Sequence, residues 1–225
     1  MSKPLFRPVI FFVLKSLKQN SFSVCLSIFA VAVSVLLVLL ISGVYQSSKS
    51  AFLLDQMNLN AVMGARSSPT QLVMNTFYHM DVSPGNLPYR YYTALKKDKR
   101  VTLAIPYALG DNYYGYRVVG TEEVIFDKPI LKSGLLQFAE GSKFDEAKTG
   151  AVFGSQVASH LNIKLNDKIN SFHGLDYNED LKHNQVFTVV GILKPTQTPL
   201  DQVILIPLEA FYRTEGHVIK KNNEV

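Results

Sequence analysis

The residues with the clearest capacity for chemistry lie in one polar stretch, His173-Gly-Leu-Asp176-Tyr-Asn-Glu179-Asp180-Leu-Lys-His183. Imidazoles and carboxylates together suit zinc or another divalent ion, and a loop could fold His173, Asp176 and His183 onto one centre. His217 near the end could add a further ligand. The H-x9-H spacing fits no standard zinc pattern, and a solvated surface loop accounts for the same composition. His79 and His160 have apolar neighbours and read as packed or surface histidines. Tyr113, Tyr114 and Tyr116 form either a recognition patch or the alternating aromatics of a strand.

Other chemistries lack their residues. No G-x-x-x-x-G-K-[ST] phosphate loop occurs, so the chain does not read as its own ATPase. There is no G-x-S-x-G elbow, and no spacing supports a Ser/His/Asp triad. The expectation is therefore no catalytic residue, no bound cofactor and no enzyme. The single cysteine, Cys25, can form no intrachain disulfide.

The elements that must position the polar stretch start with an anchor. Between Lys18 and Lys49 there is no charged residue, and the centre reads SVCLSIFAVAVSVLLVLLISGVY. A bilayer core needs about 20 apolar residues in a helix, so residues 19–48 are predicted to span a membrane. A cleaved signal peptide is the competing reading, since Ala30-Val31-Ala32 has the right small-residue spacing. Lys3, Arg7, Lys15 and Lys18 precede the span, and the first acid is Asp55. The positive flank places the N-terminus inside and residues 49–225 outside. Residues 1–18, apolar with interspersed basic side chains, could lie in the cytoplasmic interface as an amphipathic elbow against lipid. Small residues in the span (Ser27, Ala30, Ser34, Gly43) would permit close helix contact.

The net charge of +5 is mostly a topology signal: without those four residues, the remaining basic residues nearly balance the 18 acids. No nucleic-acid partner is expected. The outer part mixes strands and short helices, an α+β domain. Strands are predicted at 59–63, 101–109, 113–119, 151–153, 164–169, 187–193 and 203–206, with Gly110-Asp111-Asn112 as a hairpin turn. Residues 71–78 fit either period. Helices are predicted at 89–99, after an N-cap at Ser155, and from Leu208 onward.

In this order the chain resembles the N-terminal half of a bacterial ABC transporter permease of the MacB/FtsX-like type. The resemblance rests on GARSSPTQLVMNTFYHMDVSPGNLPY (64–89), ALGDNYYGYRVVGT (108–121), GAVFGSQVASHLNIKLNDKI (150–169) and VVGILKPTQTPLDQVILIPLEAFY (189–212). It implies a MacB-like periplasmic core domain on the outer face of the bacterial inner membrane. It also implies a cytoplasmic ABC ATPase that binds the ATP, a homodimer, and an extracytoplasmic partner in some members. The function it implies is coupling of ATP hydrolysis to export or mechanotransmission. The family's three later spans are not in this sequence, which suggests a truncated or split permease subunit. The other reading is a single-span, membrane-anchored binding or adaptor module, with metal handling as one version.

Overall fold

A computed structural model describes residues 6–51, 56–146, 148–174 and 177–214. The chain separates into two compact units, Met1–Phe52 and Leu53–Val225.

The first unit is helical: α1 (Phe6–Gln19) and α2 (Ser21–Ala51). Backbone hydrogen bonds run through Asn20 between them, from its N–H to the Ser16 carbonyl and from Val24 N–H to its own carbonyl. Within α2, Ser21–Gln46 is long and apolar enough to cross a membrane. Two of its serines are made compatible with lipid by hydroxyls that bond one turn back. Ser27 donates to the Ser23 carbonyl at 2.9 Å and Ser34 to the Ala30 carbonyl at 2.8 Å.

Among the described residues, the second unit is built on seven strands. They are β1 (Ala108–Tyr113), β2 (Tyr116–Thr121), β3 (Phe138–Gly141), β4 (Gly150–Phe153), β5 (Lys168–His173), β6 (Lys182–Leu193) and β7 (Val203–Pro207). The order is β3-β6-β4-β7-β2-β1-β5, and β5 also pairs with β6. Thr188 shows how the sheet closes, with Gly150 of β4 as one partner and Lys168 of β5 as another. Six strands therefore form a ring, with β3 added along β6. The β2–β7 and β4–β6 pairs are parallel and the rest antiparallel.

Both faces of the sheet are covered, which explains the uninterrupted apolar run VILIP in β7. Val203 and Leu205 join one core with Val119, Val152 and Leu193. Ile204 and Ile206 join the other with Val118, Ala151 and Phe153. The period-2 alternation of a strand divides one sequence between two cores.

Short helices fill the connections. α3 (Pro69–Thr76) starts where Pro69 fixes φ and the Ser68 hydroxyl accepts from Gln71 N–H at 3.1 Å. α4 (Tyr89–Lys97) buries no residue and is held by polar contacts instead. Tyr92 and Tyr89 donate to the Glu122 carboxylate at 2.6 and 3.3 Å, and Lys96 approaches it at 3.5 Å. Burial, and then the Glu122 hydrogen bond, push the Tyr92 hydroxyl far above its ordinary pKa. α5 (Val124–Asp127) follows β2. α6 (Ser155–His160) takes Gly154, not Ser155, as its N-cap residue. α7 (Leu208–Arg213) follows β7 directly.

The loop from Lys194 to Gln202 is organised around one buried carboxylate. Asp201 accepts from Thr196 N–H at 2.8 Å, Gln197 N–H at 2.9 Å and the Thr196 hydroxyl at 2.9 Å. Asp201→Ala leaves these donors without their acceptor inside the fold, and is expected to cost about 2–4 kcal/mol. A lowered urea midpoint at unchanged slope would show this. A midpoint equal to wild type would mean that water replaces the carboxylate freely.

Further sequence expectations are corrected. The strand expected at 101–109 starts only at Ala108 and runs to Tyr113. No strand forms at 59–63; the pairing falls just before, where Met57 bridges Leu131 and Lys132 N–H donates to the Gln56 carbonyl. The fifth strand begins at Lys168, because Asn166, at φ 70°, still belongs to the preceding turn. The first hairpin turns at Tyr114-Gly115, not at Gly110-Asp111-Asn112.

Candidate metal centre

The displaced hairpin turn builds the site. Tyr114 and Gly115 both have positive φ, the conformation of a two-residue turn matched to strand twist. Asn112 supports it by accepting from Gly115 N–H at 3.2 Å, while its amide donates to the Gly174 carbonyl at 3.1 Å. Gly110 is the extra residue of a bulge, since Leu109 pairs with Val119 and Asp111 with Val118. Its carbonyl accepts from Gly174 N–H at 2.8 Å. The strand GDN thus runs beside β5, and Asp111 lies opposite His173.

His183 arrives from the other side of β5. Asn170 pairs with Val186, but Phe172 pairs with Lys182, so β6 bulges over residues 183–185. The Asn170 amide fastens the bulge, donating to the carbonyls of His183 at 3.1 Å and Gln185 at 3.0 Å. Three neighbouring strands therefore contribute one side chain each.

Asp111 is fully buried, His183 is 8% exposed and the His173 side chain is 50% exposed. Asp111 Oδ1 lies 3.3 Å from His183 Nε2 and 3.6 Å from His173 Nδ1. Its Oδ2 accepts from the Ser171 hydroxyl at 3.0 Å. One ligand atom from each of Asp111, His173 and His183 lies within 4.8 Å of the others. The two rings meet edge to face, 5.8 Å apart. A buried carboxylate needs a positive partner, because desolvation of a lone charge costs several kcal/mol. Around this one stand the Ser171 hydroxyl and the two imidazoles.

An aromatic cluster gathers around Phe172, which by strand alternation faces away from Ser171 and His173. Tyr114 stacks on Tyr177 at 4.8 Å, and Tyr177 meets Phe172 edge to face at 4.7 Å. Tyr113 packs on Phe172 at 6.3 Å. This ties the chain at Tyr177 to the hairpin tip.

Of the residues expected from sequence, His173 and His183 are brought together. They sit on strands β5 and β6 rather than in one exposed loop. Asp176 and His217 lie outside the described residues. Asp111 was not among the expected ligands. The signal that could have found it is an acid in a segment flanked by apolar and aromatic residues, ALGDNYYGY, since an acid buried in a strand must have a partner. His160 stands apart, its Nδ1 2.7 Å from the Tyr116 hydroxyl.

A second concavity, an open groove of about 340 Å³, is lined by Tyr89, Thr121, Glu122, Glu146, Glu209 and Tyr212 among others. Its Glu122 and Glu146 carboxylates already serve the α4 tyrosines and the Glu123 N–H, and Glu209 pairs with Arg213.

No curated protein matches the chain. Among solved structures, the extracellular domain of the noncanonic ABC-type transporter YknZ from Gram-positive bacteria is similar at 15% identity and a TM-score of 0.40. The alignment covers 67% of this chain and 73% of that one. Residues 24–223 match the MacB-like periplasmic core domain, a match that starts inside α2 and runs through the whole sheet. The chain belongs to the MacB-like periplasmic core domain family.

Proposed function

We propose that this chain is the N-terminal part of an ABC transporter permease subunit, with α2 as its first membrane span and the seven-stranded unit outside. The observation that carries the reading is the family match over residues 24–223, which covers most of the apolar helix and all of the sheet. ATP is bound and hydrolysed by a separate cytoplasmic subunit. Motion of the spans is transmitted to the outer domain, which drives export or acts on an extracytoplasmic partner. The basic residues before α2 support the inside-to-outside orientation, and the polar-held helix α4 supplies an element able to shift without opening a core.

The test is purification of the native gene product from its own membrane. An ABC ATPase is expected to co-purify, and its hydrolysis rate is expected to change when the permease is removed. Solubilised material that carries no ATPase, and whose ATPase neighbour works equally well without it, would overturn the reading.

A second reading, a membrane-anchored module that handles metal, is favoured by one observation: the convergence of Asp111, His173 and His183.

A further inference from the structure

We infer that Asp111, His173 and His183 form a binding site for a late first-row divalent cation of the Zn²⁺ type. The argument is geometric. A tetrahedral zinc ion with bonds of about 2.0–2.2 Å to nitrogen and oxygen sets neighbouring ligand atoms about 3.3–3.6 Å apart. The two separations from Asp111 Oδ1 are 3.3 Å to His183 Nε2 and 3.6 Å to His173 Nδ1. Both match edges of that tetrahedron, and all three ligand atoms lie within 4.8 Å of one another. The 3.3 Å separation is also that of a hydrogen bond, whereas the 3.6 Å one is longer than a hydrogen bond requires. Two imidazoles and one carboxylate form the donor set of open zinc sites and of two-histidine, one-carboxylate iron sites.

The surroundings support the ligands as a metal site requires. The Ser171 hydroxyl engages Oδ2 of Asp111 and so aims Oδ1 at the histidines. Asn170 holds the bulge that presents His183. The centre is graded from fully buried Asp111 to half-exposed His173, so an ion can enter from the His173 side and leave a position there for water or a further donor.

The ligands come from β1, β5 and β6, the strands at which the ring of the sheet closes. Bound metal therefore pins the closure and resists separation of β5 from either neighbour. A protein that binds metal only when folded is stabilised in proportion to occupancy. The inference goes beyond the permease reading and does not depend on it.

The experiment is zinc titration by calorimetry of the full chain in detergent, without a histidine tag, near pH 7.5. Cobalt(II) serves as the spectroscopic probe. One ion per chain is expected, with a dissociation constant on the order of micromolar or tighter, a raised melting temperature, and visible cobalt bands of a four- or five-coordinate site. His173→Ala removes an exposed ligand and is expected to weaken binding at least about tenfold while its metal-free melting temperature stays at the wild-type value. Asp111→Asn is expected to abolish binding, and His160→Ala to leave it unchanged. Absence of saturable binding up to about 100 μM zinc, roughly a hundredfold above the expected constant, would overturn the site. So would equal affinity in wild type and His173→Ala; the cluster would then be a histidine–carboxylate ion pair only.

Discussion

Gly141→Ala is expected to destabilise the outer domain by about 3–5 kcal/mol, enough to remove much of the folded population at 37 °C. Two causes act together. Gly141 has φ +71°, where an L side chain costs about 1–2 kcal/mol. A Cβ there would also sit 2.1 Å from the Val190 carbonyl oxygen, with Leu165 Cδ2 at 2.8 Å. The carbonyl is backbone and cannot turn aside as a side chain would. It is also engaged, accepting from Ser142 N–H at 3.0 Å. Across the pair stands Gly191, whose own Cβ would meet the Ser142 carbonyl oxygen at 2.3 Å. Facing glycines thus let β3 approach β6 more closely than any side chain allows.

Gly115→Ala separates the two causes. Gly115 also has positive φ, at +83°, but open space surrounds its Cβ position. It should lose only the conformational part, about 1–2 kcal/mol. Urea unfolding of the full chain in detergent would compare the two. If Gly141→Ala costs no more than Gly115→Ala, the β3–β6 strands separate easily and the close approach contributes nothing.

The elements that were readable from sequence are those whose local pattern and tertiary role agree. VILI and FTVVGIL are branched, apolar and buried on both faces, so composition alone marks them as strands. Tyr89–Lys97 carries helical spacing and a basic end. The misplaced hairpin turn has a specific cause. Gly110-Asp111-Asn112 has turn composition because those residues usually satisfy the backbone locally. Here Asp111 is used by Ser171 and His183 and the Asn112 amide by Gly174, while the Asn112 carbonyl oxygen caps the turn that has moved to Tyr114-Gly115. The same displacement hid Asp111 from the ligand set. The two histidines were visible as residue types, but their meeting depends on bulges at Gly110 and at residues 183–185. Strand register around a bulge is not encoded in spacing along the chain.

Acid is expected to unfold the domain through His79. Its Nδ1 is sealed from solvent and has no hydrogen-bond partner among the described residues. The ring stacks on Tyr107 at 6.2 Å. Arg117 is anchored directly below, donating to the His79 carbonyl at 3.4 Å and to the Asp81 carbonyl. Burial first, and the Arg117 charge second, lower the His79 pKa from 6.5 to about 3. The unfolded chain takes up this proton near pH 6.5 and the folded chain only near pH 3. Between those values the unfolded state binds more protons, so stability is complete above pH 6.5 and declines as pH falls towards 3. The slope approaches 1.4 kcal/mol per pH unit, and the wild type should lose about 2–3 kcal/mol between pH 7.5 and 4.5 from this group alone. Carboxylates titrate over part of the same range, so the diagnostic is a difference of slopes. His79→Asn keeps a residue that tolerates the local φ of 56° and removes the titration. The variant's urea midpoint should fall less steeply with acid than the wild type's, whatever its stability at pH 7.5. Parallel profiles would mean that His79 is protonated in the folded state as readily as in water, and that the seal over Nδ1 opens at little cost.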